Sequence, residues 1–218
     1  GACSEADAKD NILTDPTAAA DVFAFADDQL NELVAAGALQ EVTLNADDVK
    51  SRNLEGSVEA ASLDGKLYAY PMTADNGYFL YYDSSVISAE DAQTVDGILA
   101  AAAAAGRTFD MTLNDGWYIY SFFAGAGLEA TLADDGVNTV CNWNEEPGAD
   151  VAQAVMDIAS NSAFVSAPDA DIVSGITNGT VCAAVSGTWN AKVAQETWGE
   201  NYAATKLPTY TMNGEQVQ

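Results

Sequence analysis

Residues 65–83 read GKLYAYPMTADNGYFLYYD, and this stretch constrains the fold more than any other. Residues 66–70 alternate small or apolar side chains with aromatic ones, the pattern of a half-buried strand. Pro71 brings no backbone donor and stops it. Residues 78–82 form a continuous aromatic and apolar run, which suits a strand buried on both faces. The polar turn between them, Thr73-Ala74-Asp75-Asn76-Gly77, presents a carboxylate and an amide where two strands meet.

The rest of the chain reads as alternating strands and helices. Residues 21–25 suggest a short strand, followed by a helix that Asp27 and Asp28 cap, because acidic side chains suit a helix N-terminus. Leu30, Leu33 and Val34 then share one face, and Gly37 ends that helix. Residues 89–105 make an Ala-rich helix or pair of helices, closed by Gly106 in a left-handed cap. An aromatic-rich helix starts at Trp117. Residues 137–143 alternate, placing Val137, Thr139, Cys141 and Trp143 on one face until Pro147 and Gly148 break the run. Val151, Val155, Ile158 and Ala159 line one side of a helix. Asn178-Gly179 is a tight turn, and residues 181–185 form a buried strand. This order predicts an α/β fold with parallel or mixed sheets, in one or two domains.

Charge and composition exclude whole classes of function. Thirty-three acidic residues against seven basic ones give a net charge of −26. Nucleic-acid binding needs clustered Lys and Arg, so it is excluded, and anionic lipid surfaces are disfavoured. The acidic excess reads as a solvated, soluble surface, with adaptation to high salt as the alternative. The chain has no histidine, which removes His-based triads and most catalytic zinc sites. No cofactor or metal is expected. No apolar run approaches the roughly 20 residues that span a bilayer.

Five segments, in order, carry a resemblance. DVFAFADDQLNELVAAGALQEV, the 65–83 stretch, LNDGWYIYSFFAGAGLE, NGTVCAAVSGTWNAKVA and LPTYTMNGE together resemble the bacterial extracellular solute-binding proteins of ABC sugar importers, of the maltose/maltodextrin-binding type. The resemblance implies a periplasmic-binding-protein-like two-lobe fold (type II), incomplete at both ends. Residues 1–74 would be part of lobe one, 75–208 most of lobe two, and 209–218 the return crossing. It implies an upstream export signal already removed, and a lipoprotein anchored to the cell surface, or a periplasmic protein. It implies binding rather than turnover: a neutral oligosaccharide, with maltodextrin favoured, is captured between lobes hinged at residues 74–77 and 208–211 and delivered to a membrane permease. Self-association of the truncated first lobe is a further expectation.

The candidate ligand residues follow from the matched segments. A sugar offers hydroxyls at its rim and C–H patches on its faces, which carboxylates, amides and flat aromatic rings complement. The resemblance assigns ligand binding to Asp28, Gln29, Asp75, Asn76, Asp115, Trp117, Tyr118, Trp189 and Asn190: Asp28, Gln29 and Asp115 to hydroxyls, Asp75 from the hinge, and Trp117 and Trp189 by stacking. Each also has a structural reading: helix capping for Asp27 and Asp28, hinge bracing for Asp75, core packing for Trp117 and Trp189. Trp143 and Trp198 match no ligand position and read as packing residues. The chain departs from the maltose-binding pattern at Gln29, where a basic residue is usual, and at Asp115-Gly116-Trp117, in place of a Glu-Pro-Tyr-like triplet. These cleft residues are acidic and lack Arg, so a sugar acid fits worse.

Three cysteines remain. In an exported protein two would pair, and a Cys141–Cys182 disulfide stands against the alternative of two small buried apolar side chains. Cys3 is then left over, as a free thiol or in a bridge between chains. Two rival functions differ in class. A glycoside hydrolase would use Asp75 and Asp115 as acid and base and release reducing sugar. A non-transport carbohydrate-binding module would bind polymer without lobe closure.

Overall fold

A computed structural model describes residues 3–74, 76–133 and 138–218. The chain divides into two compact units, Gly1–Asp75 and Asn76–Gln218.

The first unit is built from short elements. Helices α1 (Glu5–Thr14), α2 (Leu30–Ala35), α3 (Ala46–Arg52) and α4 (Glu55–Ala60) precede a two-stranded ribbon, β1 (Ser62–Leu63) with β2 (Lys66–Leu67). Leu30 and Leu33 are the buried face of α2, as their spacing predicts, and Leu67 is buried on β2. Residues 21–25 form no strand: they have no neighbouring strand to pair with among the described residues, and Phe23 and Phe25 instead pack ring against ring at 5.7 Å. Asp27 and Asp28 do not cap α2. They lie in the 3-10 turn Asp27–Gln29 that leads into it, and no side-chain cap bond forms. Val22, Leu44, Leu54, Tyr70 and Met72 are largely exposed.

The second unit centres on a five-stranded sheet with helices on both faces. Its strands are β3 (Tyr78–Asp83), β4 (Thr108–Met111), β7 (Phe164–Ser166), β8 (Val181–Gly187) and β9 (Tyr202–Thr205), in the order β7-β4-β8-β3-β9. β4 runs parallel to both β7 and β8, while β3 is antiparallel to β8 and β9. Against one face lie α5 (Val95–Ala105), α6 (Gly116–Gly125) and α7 (Gly148–Ala159), packed on Leu80, Phe109, Met111 and Val185. Against the other lie α8 (Asp169–Asn178) and α9 (Thr188–Trp198), packed on Tyr81, Val181 and Ala184. Ile172 and Ile176 of α8 are fully buried there, each contributing about 1.5–3 kcal/mol of apolar burial.

The outer pieces are a ribbon of β5 (Ala130–Leu132) with β6 (Thr139–Cys141) and a hairpin of β10 (Tyr210–Met212) with β11 (Glu215–Val217). Val137, expected to begin a strand, lies outside the described residues. The hairpin is fastened to the second unit: the Tyr210 hydroxyl donates to the Phe122 carbonyl at 2.7 Å, and Asn213 Nδ2 donates to Asp150 at 2.8 Å.

Local chemistry sets the element ends. Thr94 caps α5 by accepting from the Gly97 amide at 3.0 Å, and Gly106 closes it at φ 64°, a left-handed conformation that glycine adopts without strain. Gly179 closes α8 at φ 83°, so the tight turn expected at Asn178-Gly179 is the left-handed end of a helix that leads into β8. A register shift between Thr108 and Phe109 puts Val181 and Ala184 toward α8 and α9 while Cys182, Ala183 and Val185 face the other core.

That placement overturns the Cys141–Cys182 disulfide. Cys182 is fully buried in the large sheet, Cys141 is exposed on the β5–β6 ribbon, and both are free, as is Cys3. Burial pushes the Cys182 thiol up to about 11, with Asp83 and Asp110 adding to the shift and Arg107 opposing it.

Candidate functional site

The parallel strands β4, β7 and β8 each run into a helix: β4 into α6, β7 into α8, β8 into α9. Ligands of open α/β sheets gather at such carboxyl ends. Here three helix starts bring Asp115, Asp169 and Trp189 to one edge of the sheet. The β3–β8 register places Tyr78 directly opposite Gly187, and the β3 N-terminus thereby joins them.

The result is a cluster of aromatic rings. Trp117 and Trp189 stack with centroids 5.8 Å apart and planes 23° from parallel. Tyr78 meets Trp117 edge-on at 4.6 Å, and Tyr118 lies 5.0 Å from Tyr78 and 5.1 Å from Trp117. The Tyr78 hydroxyl donates to the Trp117 carbonyl at 3.0 Å. Both indoles keep large exposed faces, 42% for Trp117 and 46% for Trp189, although each could have been buried. A sugar ring held between two aromatic faces needs two contacts of roughly 3.5–4.0 Å each. The 5.8 Å separation is too narrow for that, so a sugar would not enter between the rings but meet the pair, as a platform, from its solvent-exposed side.

Beneath the rings lies a polar network. The Trp189 indole N–H donates to Asp169 Oδ2 at 2.9 Å. The buried Ser186 hydroxyl donates to Asp169 Oδ1 at 2.8 Å, and the Tyr118 hydroxyl reaches the same oxygen at 3.4 Å. Asn190 Nδ2 donates to the Ser186 hydroxyl at 3.1 Å. Burial, reinforced by the Asp169 charge, pushes the Tyr118 phenol up to about 12, with Ser186 offsetting part of the shift. Tyr81, fully buried nearby, is raised by burial as well, and its hydroxyl makes no hydrogen bond. Gly187 seats the indole: a Cβ there would fall 2.2 Å from two Trp189 ring carbons.

The structure brings together Asp115, Trp117, Tyr118, Trp189 and Asn190. Asp115 Oδ1 accepts from the Trp117 amide at 2.8 Å, so this exposed carboxylate also caps α6. Asn76 is exposed just before β3. Asp75 lies outside the described residues. Asp28 and Gln29 belong to the first unit: Asp28 is exposed, and Gln29 Oε1 is buried without a partner. Trp143 stacks on Phe123 at 4.2 Å and Trp198 is buried beside Tyr202, so both are packing residues. Sequence reasoning missed Tyr78, Asp169, Ser186 and Gly187 as site residues. Ser186 and Gly187 form the end of strand β8. Only Pro168 before Asp169 gave a signal, that of a helix start, and it says nothing of a tryptophan partner.

Among the described residues, cavities also lie away from this site. One of about 40 Å³ sits in the α5–α7 core, between Phe109, Phe122 and Tyr210. Another, about 280 Å³ and polar, opens at the far ends of α8 and α9 beside the Asp83–Arg107 pair.

Residues 3–218 match the family model described as bacterial extracellular solute-binding protein. The chain belongs to that family. No curated protein matches it. Among solved structures, one described as "with acarbose" is 30% identical over 100% of this chain, with a TM-score of 0.84. The maltodextrin-binding protein MalE1 from L. casei BL23, solved without ligand, is 28% identical over 99%, with a TM-score of 0.75. The galacto-N-biose/lacto-N-biose I-binding protein from Bifidobacterium longum shares the fold at 22% identity over 95%, with a TM-score of 0.71. This chain spans 56%, 56% and 55% of those chains, respectively.

Proposed function

We propose that this protein is the carbohydrate-binding component of an ABC importer, taking up a neutral oligosaccharide of the maltodextrin class and handing it to a membrane permease. The observation that carries the reading is the exposed Trp117–Trp189 platform, edged by Tyr78 and by the polar side chains of Asp115 and Asn190. Aromatic faces cover the C–H faces of a glucosyl unit, while carboxylate and amide meet its hydroxyls. The acarbose and maltodextrin contexts of the two structures nearest 30% identity point to the same ligand class. Family membership supports an extracellular or periplasmic setting, and anchoring to the cell surface is part of the proposal.

The experiment is calorimetric titration of maltose through maltoheptaose into the protein, into Trp117→Ala and into Trp189→Ala. Loss of one stacked ring costs about 0.5–1.5 kcal/mol beyond area, a drop in affinity of roughly two- to tenfold. Binding that survives both substitutions unchanged would move the site elsewhere. No heat with any maltooligosaccharide would discard the maltodextrin assignment.

A further inference from the structure

Asp169 lies in no segment that marks a ligand residue, yet it joins four elements around the platform. We infer that Asp169 is a positioning residue, fixing the Trp189 ring, and through it the Trp117 stack, before any sugar arrives. The inference rests on the reading of the platform as the sugar-contacting surface.

Ser186 and Tyr118, the partners of Oδ1, are buried at 0% and 4% exposure. They hold the carboxylate from the core side. Oδ2 then has a fixed place from which to accept the indole N–H. A hydrogen bond to an ionised acceptor is about twice as strong as a neutral one, so it restrains an indole that is half open to solvent. Gly187 leaves the ring room to lie flat on the strand end, and Trp117 stacks against it. Asn190 extends the chain of donors through Ser186 to Asp169. A ring already fixed is not ordered again on binding, which reduces the entropic cost of association.

Asp169→Asn keeps the shape and removes one acceptor. Three donors then compete for a single amide oxygen, and the new NH₂ group faces donors. The first readout is the indole N–H resonance of Trp189 in protein labelled with ¹⁵N-tryptophan. In the unaltered protein this proton exchanges more slowly than a solvent-exposed indole; in Asp169→Asn it exchanges faster and its resonance moves. The second is the circular-dichroism couplet of the Trp117–Trp189 pair, which weakens while the backbone signal stays. The third is titration with maltotetraose, where affinity falls by about two- to tenfold. In a Trp189→Phe background, which keeps a ring without the N–H, adding Asp169→Asn lowers affinity no further.

An unchanged couplet and an unchanged indole resonance in Asp169→Asn would overturn the proposal. So would fast exchange of the Trp189 indole in the unaltered protein, a measurement that needs no variant to fold. If maltotetraose fails to bind the unaltered protein, the functional reading fails while the two spectroscopic readouts still decide the role of Asp169.

Discussion

Gly187→Ala is the sharpest perturbation the site allows. The backbone there has φ −75° and ψ 167°, open to any residue, so alanine introduces no backbone strain. Its effect is steric and falls on one side chain. The added Cβ lies 2.2 Å from Cη2 and Cζ3 of Trp189, where ordinary contact begins at 3.4 Å, so the ring must retreat by about 1.2 Å. A retreat of that size cannot preserve both the 2.9 Å bond to Asp169 and the 5.8 Å stack on Trp117. A hydrogen bond to a charged group is worth about 1.5–3 kcal/mol, but water replaces part of it at a half-exposed indole; the stack adds about 0.5–1.5 kcal/mol. We expect a net loss of about 1–2 kcal/mol in sugar binding, a five- to thirtyfold rise in Kd. Stability should fall by only about 1 kcal/mol, or roughly 2–4 °C in Tm, because the ring can yield into solvent. Titration calorimetry and thermal melts measure the two. The test of cause is the double variant with Trp189→Ala: once the ring is gone, the alanine has nothing to strike, and its stability cost should vanish. An equal cost in both backgrounds would refute the steric argument and locate the effect in the strand.

Three further outcomes are expected. Under native conditions a thiol reagent should label Cys3 and Cys141 and spare Cys182, with three thiols titrating in denaturant; a single reactive thiol would show a bridge instead. The folded Cys182 thiol, held up to about 11 against an ordinary 9.0, keeps its proton at pH values where the unfolded thiol loses it. Its stabilising contribution is therefore complete below pH 9 and is lost as pH rises from 9 toward 11, by roughly 1 kcal/mol at pH 10. Urea midpoints should fall between pH 8 and 10, and Cys182→Ala should flatten that fall; an unaltered slope would exclude the thiol as its source. Ile176→Ala, in the fully buried face of α8, should cost about 2–5 kcal/mol, whereas Met156→Ala on the exposed side of α7 should cost under about 0.5 kcal/mol. Denaturant melts of the pair check that contrast.

What could be read from the chain divides along a physical line. Elements that carry their own signal were legible: the apolar run of β3, the buried run of β8, the Ala-rich α5 with its glycine stop, and the i, i+3 face of α2. Residues 21–25 carry a short apolar run that suits a strand, but strand propensity needs a neighbour to pair with, and no local pattern encodes the neighbour. The disulfide failed for a related reason. Which sheet a strand joins is a long-range outcome, and Cys141 and Cys182 ended in different ones. The site divides in the same way. Trp117 and Trp189 were visible because each opens a helix after a strand, a junction where an aromatic is not needed for core packing. Asp169 was invisible because its partners come from β8, α6 and α9, brought together only when three parallel strands lie side by side. Residues proposed to meet a ligand can be marked by their own segment; the residue inferred to hold them still is defined by the sheet. That is why a substitution at Asp169 should alter the geometry of the rings while leaving the helix it starts intact.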